Sequence, residues 1–239
     1  MESFNANRNS SENRLLASLS PRDLTRLIPS LEPVELNVRQ SIYEPATPFR
    51  HAYFPEQGLI SVVAIMDDGD SIEVGTIGSE GMTGLHLLSD ETSPYRHFVQ
   101  IEGRALRMTA ARLHEETQLD TPLRRLLLRY QTAFVTQLMQ SVACNGLHNV
   151  QERCARWLLR CLDRAETADV VITHEFLAQM LGVRRASISD VLRPLQADGL
   201  IRSRRGVVSV LDRKGLESQA CECYQVISLE YDRLMRGPI

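Results

Sequence analysis

The sequence predicts an α+β chain with an N-terminal β-roll of the double-stranded β-helix (jelly-roll) type, a long helix, and a C-terminal winged helix-turn-helix. Three observations point there. From Val34 to Met108, short runs rich in β-branched and aromatic residues alternate with turn residues at a spacing of about 8 to 12, the texture of a sandwich or roll. From Thr121-Pro122 to Cys144 the apolar period becomes helical. From Ile172 to Ile201 a capped helix, a glycine turn and a second, basic helix follow one another.

Composition sets the frame for these elements. At 239 residues the chain exceeds one average domain, and 43% hydrophobic against 24% charged residues fits a packed globular protein rather than a disordered one. Arg, Asp or Glu interrupts every hydrophobic run before it reaches the roughly 18 residues a membrane span needs. The polar N-terminus, Met1 to Arg14, lacks the apolar core of a secretory signal and reads as a disordered leader. The expected address is the cytoplasm. Cys144, Cys154, Cys161, Cys221 and Cys223 fit it as small buried thiols. Cys221-Glu222-Cys223 supplies only half of a zinc set and shows no nearby Cys or His in the sequence, so neither a metal nor a cofactor is expected.

Taken in order, Leu15, Leu16, Leu19, Leu24, Leu27 and Ile28 make a small helical lead-in, with Ser20-Pro21 as a capped start. Ala52 to Phe54, Leu59 to Ile65, Ser71 to Ile77 and Phe98 to Ile101 read as strands, and Asp68-Gly69 as a tight hairpin turn. In the long helix Leu123, Leu127, Phe134, Leu138 and Val142 recur at spacings of four and seven, the stripe expected to pair two copies of the chain. Leu126, Val135 and Met139 widen it enough to pack on both a partner helix and the roll. Asn145-Gly146 reads as the helix stop. These limits divide the chain into lead-in (1–30), roll (31–120), pairing helix (121–145) and C-terminal domain (146–239), the last ending in a helix expected to pack on that same domain.

The candidate chemistry lies in the C-terminal domain. The net charge is −3, yet Arg184 to Lys214 holds eight basic residues against three acidic ones, a local charge of +5. Thr173 caps a first helix carrying Phe176, Leu177 and Met180, and Leu181-Gly182-Val183 makes the turn. On the second helix Ile188, Val191, Leu192 and Leu195 form the inner side, leaving Arg184, Arg185, Ser187, Ser189, Asp190 and Arg193 outside. A helix of this width enters the major groove of duplex DNA, where Arg donates two hydrogen bonds to guanine and Ser donates or accepts. Arg185 is the first candidate for base reading. Beyond it, Leu200 to Ser203 and Val207 to Leu211 read as a two-stranded wing with Arg204-Arg205-Gly206 at its tip, where arginines hold phosphates.

From Leu147 to Leu211 the sequence closely resembles the Crp/Fnr superfamily of bacterial regulators. The resemblance rests on Val150-Gln151-Glu152-Arg153-Cys154-Ala155-Arg156-Trp157-Leu158, on Leu177-Ala178-xx-Leu181-Gly182-Val183-x-Arg185, and on Gly199-Leu200-Ile201 before the wing. Upstream, Gly75 to Gly84 looks like the turn of a cyclic-nucleotide-binding-type roll. The resemblance implies a sensor roll, a homodimer through the long helix, an inverted-repeat DNA site, and RNA polymerase as a partner if the protein activates. In members that bind cyclic AMP a Glu follows the roll glycine and an Arg-Ser or Arg-Thr pair holds the phosphate. Here Leu85 follows Gly84 and His97 follows Arg96, so Gly84 and Arg96 are the only effector candidates and cyclic AMP is not the expected ligand. Cysteines before Cys144 are absent, which disfavours the family's N-terminal iron-sulfur cluster, and His51, His86 and His97 read as ordinary roll histidines rather than haem ligands. On the second helix the family's Glu and second Arg are replaced by Ala186 and Asp190, which implies a different half-site. Pro194 is expected to bend that helix past its base-contacting part.

The competing reading is a signalling or enzymatic module that binds a small ligand in the roll and uses the C-terminal domain to hold a protein. No GxxxxGK[ST], HExxH or GxSxG motif supports an enzyme.

Overall fold

A computed structural model of the chain describes residues 11–88, 91–165 and 168–236. Most of the expected leader, residues 1–10, lies outside them. Helices α1 (Arg14–Ala17) and α2 (Pro21–Leu27) open the chain, capped by Asn13 and Ser20, whose side chains accept from the amides of Leu16 and Asp23.

Seven strands then form the roll: β1 (Glu32–Leu36), β2 (Ser41–Tyr43), β3 (His51–Pro55), β4 (Leu59–Ile65), β5 (Ser71–Ile77), β6 (Arg96–Ile101) and β7 (Gly103–Thr109). They make two antiparallel sheets, in the orders β1-β7-β3 and β2-β6-β4-β5. Leu36, Ile60, Val62, Ile77, Val99 and Ala105 fill the space between them. The β4–β5 hairpin turns where the sequence predicts, with Gly69 at φ +89, a backbone region that a side chain resists. Strand β4 is buried from Leu59 to Ala64 instead of alternating, because both of its faces are covered. Ile60 and Val62 face the roll interior, whereas Leu59 and Val63 join the core of the C-terminal domain.

Helix α3 (Ala110–Thr117) leads into α4 (Pro122–Leu147), which Thr121 caps by accepting from the Arg124 amide. Helix α4 runs through Asn145-Gly146, two residues further than the sequence reading places its end. Both residues are exposed and nothing crowds Gly146, so the helix carries them at the modest cost of an interior glycine, about 1 kcal/mol. The break falls at His148-Asn149, where Asn149 and Glu152 form a capping box that starts α5 (Val150–Leu162).

The C-terminal domain continues with β8 (Asp169–Val171), α6 (His174–Leu181), α7 (Arg185–Ala197), β9 (Ile201–Arg204), β10 (Val207–Val210), α8 (Arg213–Gln219) and α9 (Cys223–Arg236). Its wing is a three-stranded sheet, β8-β10-β9, where the sequence suggested two strands. Strand β8 is only three residues long, too short to announce itself by pattern. Pro194 sits inside the continuous helix α7.

Helix α9 departs from expectation. It packs against α4 rather than mainly on the rest of the C-terminal domain: Ile227, Tyr231 and Leu234 join Leu15, Leu127 and Tyr130 in one core, and Arg14 pairs with Asp232 at 2.6 Å. The helical period fixes which side of α9 is apolar but not which neighbour receives it.

Candidate nucleic-acid interface

Gly182 ends α6 in the left-handed conformation, φ +62, and Val183 donates back to the Ala178 carbonyl at 3.0 Å. This tight turn sets α7 across α6, with Ile188, Val191, Leu192 and Leu195 buried beneath it. Arg184, Arg185, Ser189, Asp190 and Arg193 form the exposed face, whereas Ser187 is half-buried. The Arg185 side chain is 73% exposed, held only by a loose pair to Glu175 at 3.6 Å, and Arg193 meets Asp190 at 3.3 Å. Exposed pairs of this kind are worth little, so both guanidinium groups can exchange their carboxylates for a phosphate or a base. The Thr173 hydroxyl is already engaged, accepting from the Phe176 amide at 3.2 Å, which makes it a helix cap first.

The wing is fastened to this helix. The Ser203 amide donates to Gln196 Oε1 at 2.9 Å, and His174 Nε2 lies 3.3 Å from Ser203 Oγ. Neither Gln196 nor His174 stood out in the sequence, since their role depends on a strand that returns beside them. Arg204 and Arg205 are exposed at the wing tip, where Gly206 takes φ +80. Thr173, His174, Arg185, Ser203, Arg204 and Arg205 line one open cleft of about 480 Å³ between recognition helix and wing. Cations on both walls of a groove of this size suit a polyanion.

Polar contacts add to the apolar packing of Leu59 and Val63 in docking the domain on its own roll. Glu73 accepts from Trp157 Nε1 at 3.1 Å and from Ser61 Oγ at 2.7 Å. Burial raises its carboxyl to about 7 despite these bonds and the nearby Arg156 and Arg160. Glu80 is buried beside Arg164, 2.5 Å away, and Arg160 at 4.0 Å. Burial alone would raise this carboxyl; the two guanidinium groups outweigh it and hold Glu80 below the usual carboxylate range.

A cavity of about 390 Å³ lies between the roll and α4, lined by Val62, Val74, Met82, Gly84, Leu85 and Leu138 among others. Of the two effector candidates Gly84 lines it and Arg96 does not: Arg96 points to Glu44 at 3.3 Å and stacks 5.9 Å over Phe98. His97, which the sequence left as an ordinary histidine, lines this cavity. Burial pushes it down to about 3, and neither ring nitrogen has a hydrogen-bond partner.

The pairing stripe also needs correction. Leu123 and Leu127 are fully buried within their own chain, and Phe134 and Leu138 pack against Gly75 of the roll. Of the five expected residues Val142 alone is widely exposed, and the outward stripe is Leu128, Val135, Met139 and Val142. Both stripes share the helical period; the face that the roll claims is a matter of tertiary packing. The Cys221-Cys223 pair is not isolated either, because the fold sets Cys144 and His148 beside it.

Residues 152–219 match the model of the Crp-like helix-turn-helix domain. The transcriptional regulator LdrP of Thermus thermophilus is 28% identical over 195 residues, covering 76% of this chain and 93% of LdrP. A Crp/Fnr-family transcriptional regulator of known structure from the same organism superposes with a TM-score of 0.65 at 22% identity, over 79% of this chain and 98% of that one. The c-di-GMP responsive global regulator CLP of Xanthomonas campestris superposes at 0.64 with 20% identity, over 80% of this chain and 99% of CLP. At such identities the superpositions speak for the fold. Fold and interface together define a winged helix-turn-helix protein whose cationic groove suits duplex DNA. Residues 152–219 form a Crp-like helix-turn-helix domain, carried on a chain that has the fold of Crp/Fnr-family regulators.

Proposed function

We propose that the protein works in the cytoplasm as a homodimer that binds an inverted-repeat operator, inserting α7 of each protomer into the major groove. The observation that carries this reading is the cleft in which Arg185 and the wing arginines Arg204 and Arg205 converge. Arg185 reads a guanine, Arg184 and Arg193 flank it on phosphates, and Ser189 and Asp190 complete the base-facing side. The second copy docks on the outward stripe of α4, whose Leu128, Val135, Met139 and Val142 recur at spacings of seven, four and three.

An effector enters the cavity between roll and α4. The described lining is mostly apolar and includes no Lys or Arg, so a cyclic nucleotide phosphate finds no cation there, and His97 offers one unpartnered hydrogen-bonding group. The expected ligand class is a largely apolar molecule with a few polar groups, one of them facing His97 and others within reach of Tyr95, Gln131 and Asn145. Val135 and Val142 line the cavity and belong to the pairing stripe, which gives the ligand a direct hold on the dimer. RNA polymerase becomes a partner where the operator position permits activation.

Selection from a random duplex library tests the DNA reading. The expected outcome is an inverted repeat with half-sites about one helical turn apart. Arg185→Ala should weaken binding to that site by about 1–3 kcal/mol and relax the preference at one position. No enrichment, with or without cell extract to supply an effector, would refute the operator.

A further inference from the structure

Four side chains from separate parts of the chain meet at a place that DNA binding does not use. Cys144 lies in the last turn of α4, His148 just after it, Cys221 in the connection behind α8, and Cys223 at the first position of α9. Three sulfurs and one ring nitrogen all lie within 4.8 Å of one another. Cys144 Sγ is 3.5 Å from Cys221 Sγ, and Cys223 Sγ is 3.5 Å from His148 Nδ1. A tetrahedron with metal–sulfur bonds of about 2.3 Å has edges of about 3.8 Å, so these are spacings around a single ion. The thiols are buried, and the imidazole, 17% exposed, marks the way in.

The surroundings fit as well as the ligands. His148 Nε2 lies 3.1 Å from a carboxylate oxygen of Glu222. A carboxylate behind an imidazole holds the proton on the far nitrogen and leaves the near one, Nδ1, free to bind metal. Arg153 and Arg156 place positive charge beside the sulfurs, which favours thiolate.

We propose that Cys144, His148, Cys221 and Cys223 form a tetrahedral site for one zinc ion per chain. Thiolate and imidazole donors select zinc over magnesium or calcium, which require oxygen. Binding releases three thiol protons to solvent and leaves a site of net charge −1, balanced by the two arginines. The ion joins the end of the pairing helix to the start of α9, one residue from the break that leads into α5. It therefore braces the hinge between the dimer axis and the DNA-binding domain.

Metal analysis of tag-free protein, purified under reducing conditions without chelator, should find one zinc per chain. Chelated protein should take up one cobalt(II) ion with the visible absorption of a tetrahedral thiolate site. Cys221→Ser combined with Cys223→Ser should abolish both, whereas Cys161→Ala should retain them and Glu222→Gln should weaken zinc affinity about 10-fold or more. Should the double variant fail to fold, the native protein decides: zinc should shield three thiols from a thiol reagent, and chelation should expose them. Failure to retain zinc after dialysis, iron in its place, equal thiol reactivity with and without zinc, or a Cys144–Cys221 disulfide in protein purified with zinc would overturn the site.

Discussion

Glu73 is a carboxyl in a place built for a neutral group. The single proton of the Ser61 hydroxyl faces two acceptors, Glu73 Oε2 and Gln100 Oε1, and Gln100 turns its amide nitrogen toward Cys161. When Glu73 is protonated its own hydroxyl supplies the missing donor, and the Ser61 proton is left to Gln100. Burial raises its carboxyl from 4.5 to about 7, so docking of the C-terminal domain is favoured most below pH 4.5 and loses this contribution as pH climbs through 7. Thermal unfolding should show the wild-type midpoint falling relative to Glu73→Gln between pH 5 and 8; parallel curves would contradict a neutral Glu73. None of this was legible in the sequence, where Glu73 is one polar residue in an alternating strand. The same holds for His97 and for the partners of Cys221, since Cys144 lies 77 positions away and meets it only through the return of α9. By contrast Arg185 and Gly182 were legible, because a cap, a left-handed turn and a basic helix are local features with local causes.

At the scale of elements, period was easy to read and neighbour was not. Strands β3 to β6 and helices α6 and α7 fall where β-branched runs, turn residues and caps place them. Helix α4 was found as well, but its spacing permits two apolar faces. The roll takes the one bearing Leu123, Leu127 and Phe134, and leaves Leu128, Val135, Met139 and Val142 outside. This exposed stripe, at coiled-coil spacing on a 26-residue helix, is the face on which the proposed second copy docks. Met139→Glu combined with Val142→Glu should turn dimer into monomer in sedimentation measurements, because an unpaired carboxylate buried in an interface costs about 3 kcal/mol, roughly 100-fold in affinity. Leu123→Glu should instead unfold the chain, which separates the outward stripe from the inward one. A dimer that survives the double substitution places the interface elsewhere.

The whole molecule adds a constraint that no single domain shows. Packing of the helix-turn-helix on the roll brings the β4–β5 hairpin against the turn before the recognition helix. Gln179 donates to Ser71 Oγ at 2.5 Å, and a side chain at Gly182 would come within 2.6 Å of Ile72. The tip of this hairpin reads Asp67-Asp68-Gly69-Asp70, and Asp70 lines the same cleft as Arg184 and Arg185. The roll thus presents negative charge to the cations proposed to hold DNA, and a phosphate entering the cleft meets it. Exposed charges at this range act weakly and are screened by salt over about 10 Å at 0.1 M. Asp70→Asn should therefore tighten operator binding about two- to three-fold at low ionic strength, an advantage that fades as salt is raised. Fluorescence anisotropy across a salt series measures this directly. An unchanged affinity at low salt would mean that the hairpin moves clear when DNA binds, and that the docked arrangement belongs to the free protein alone.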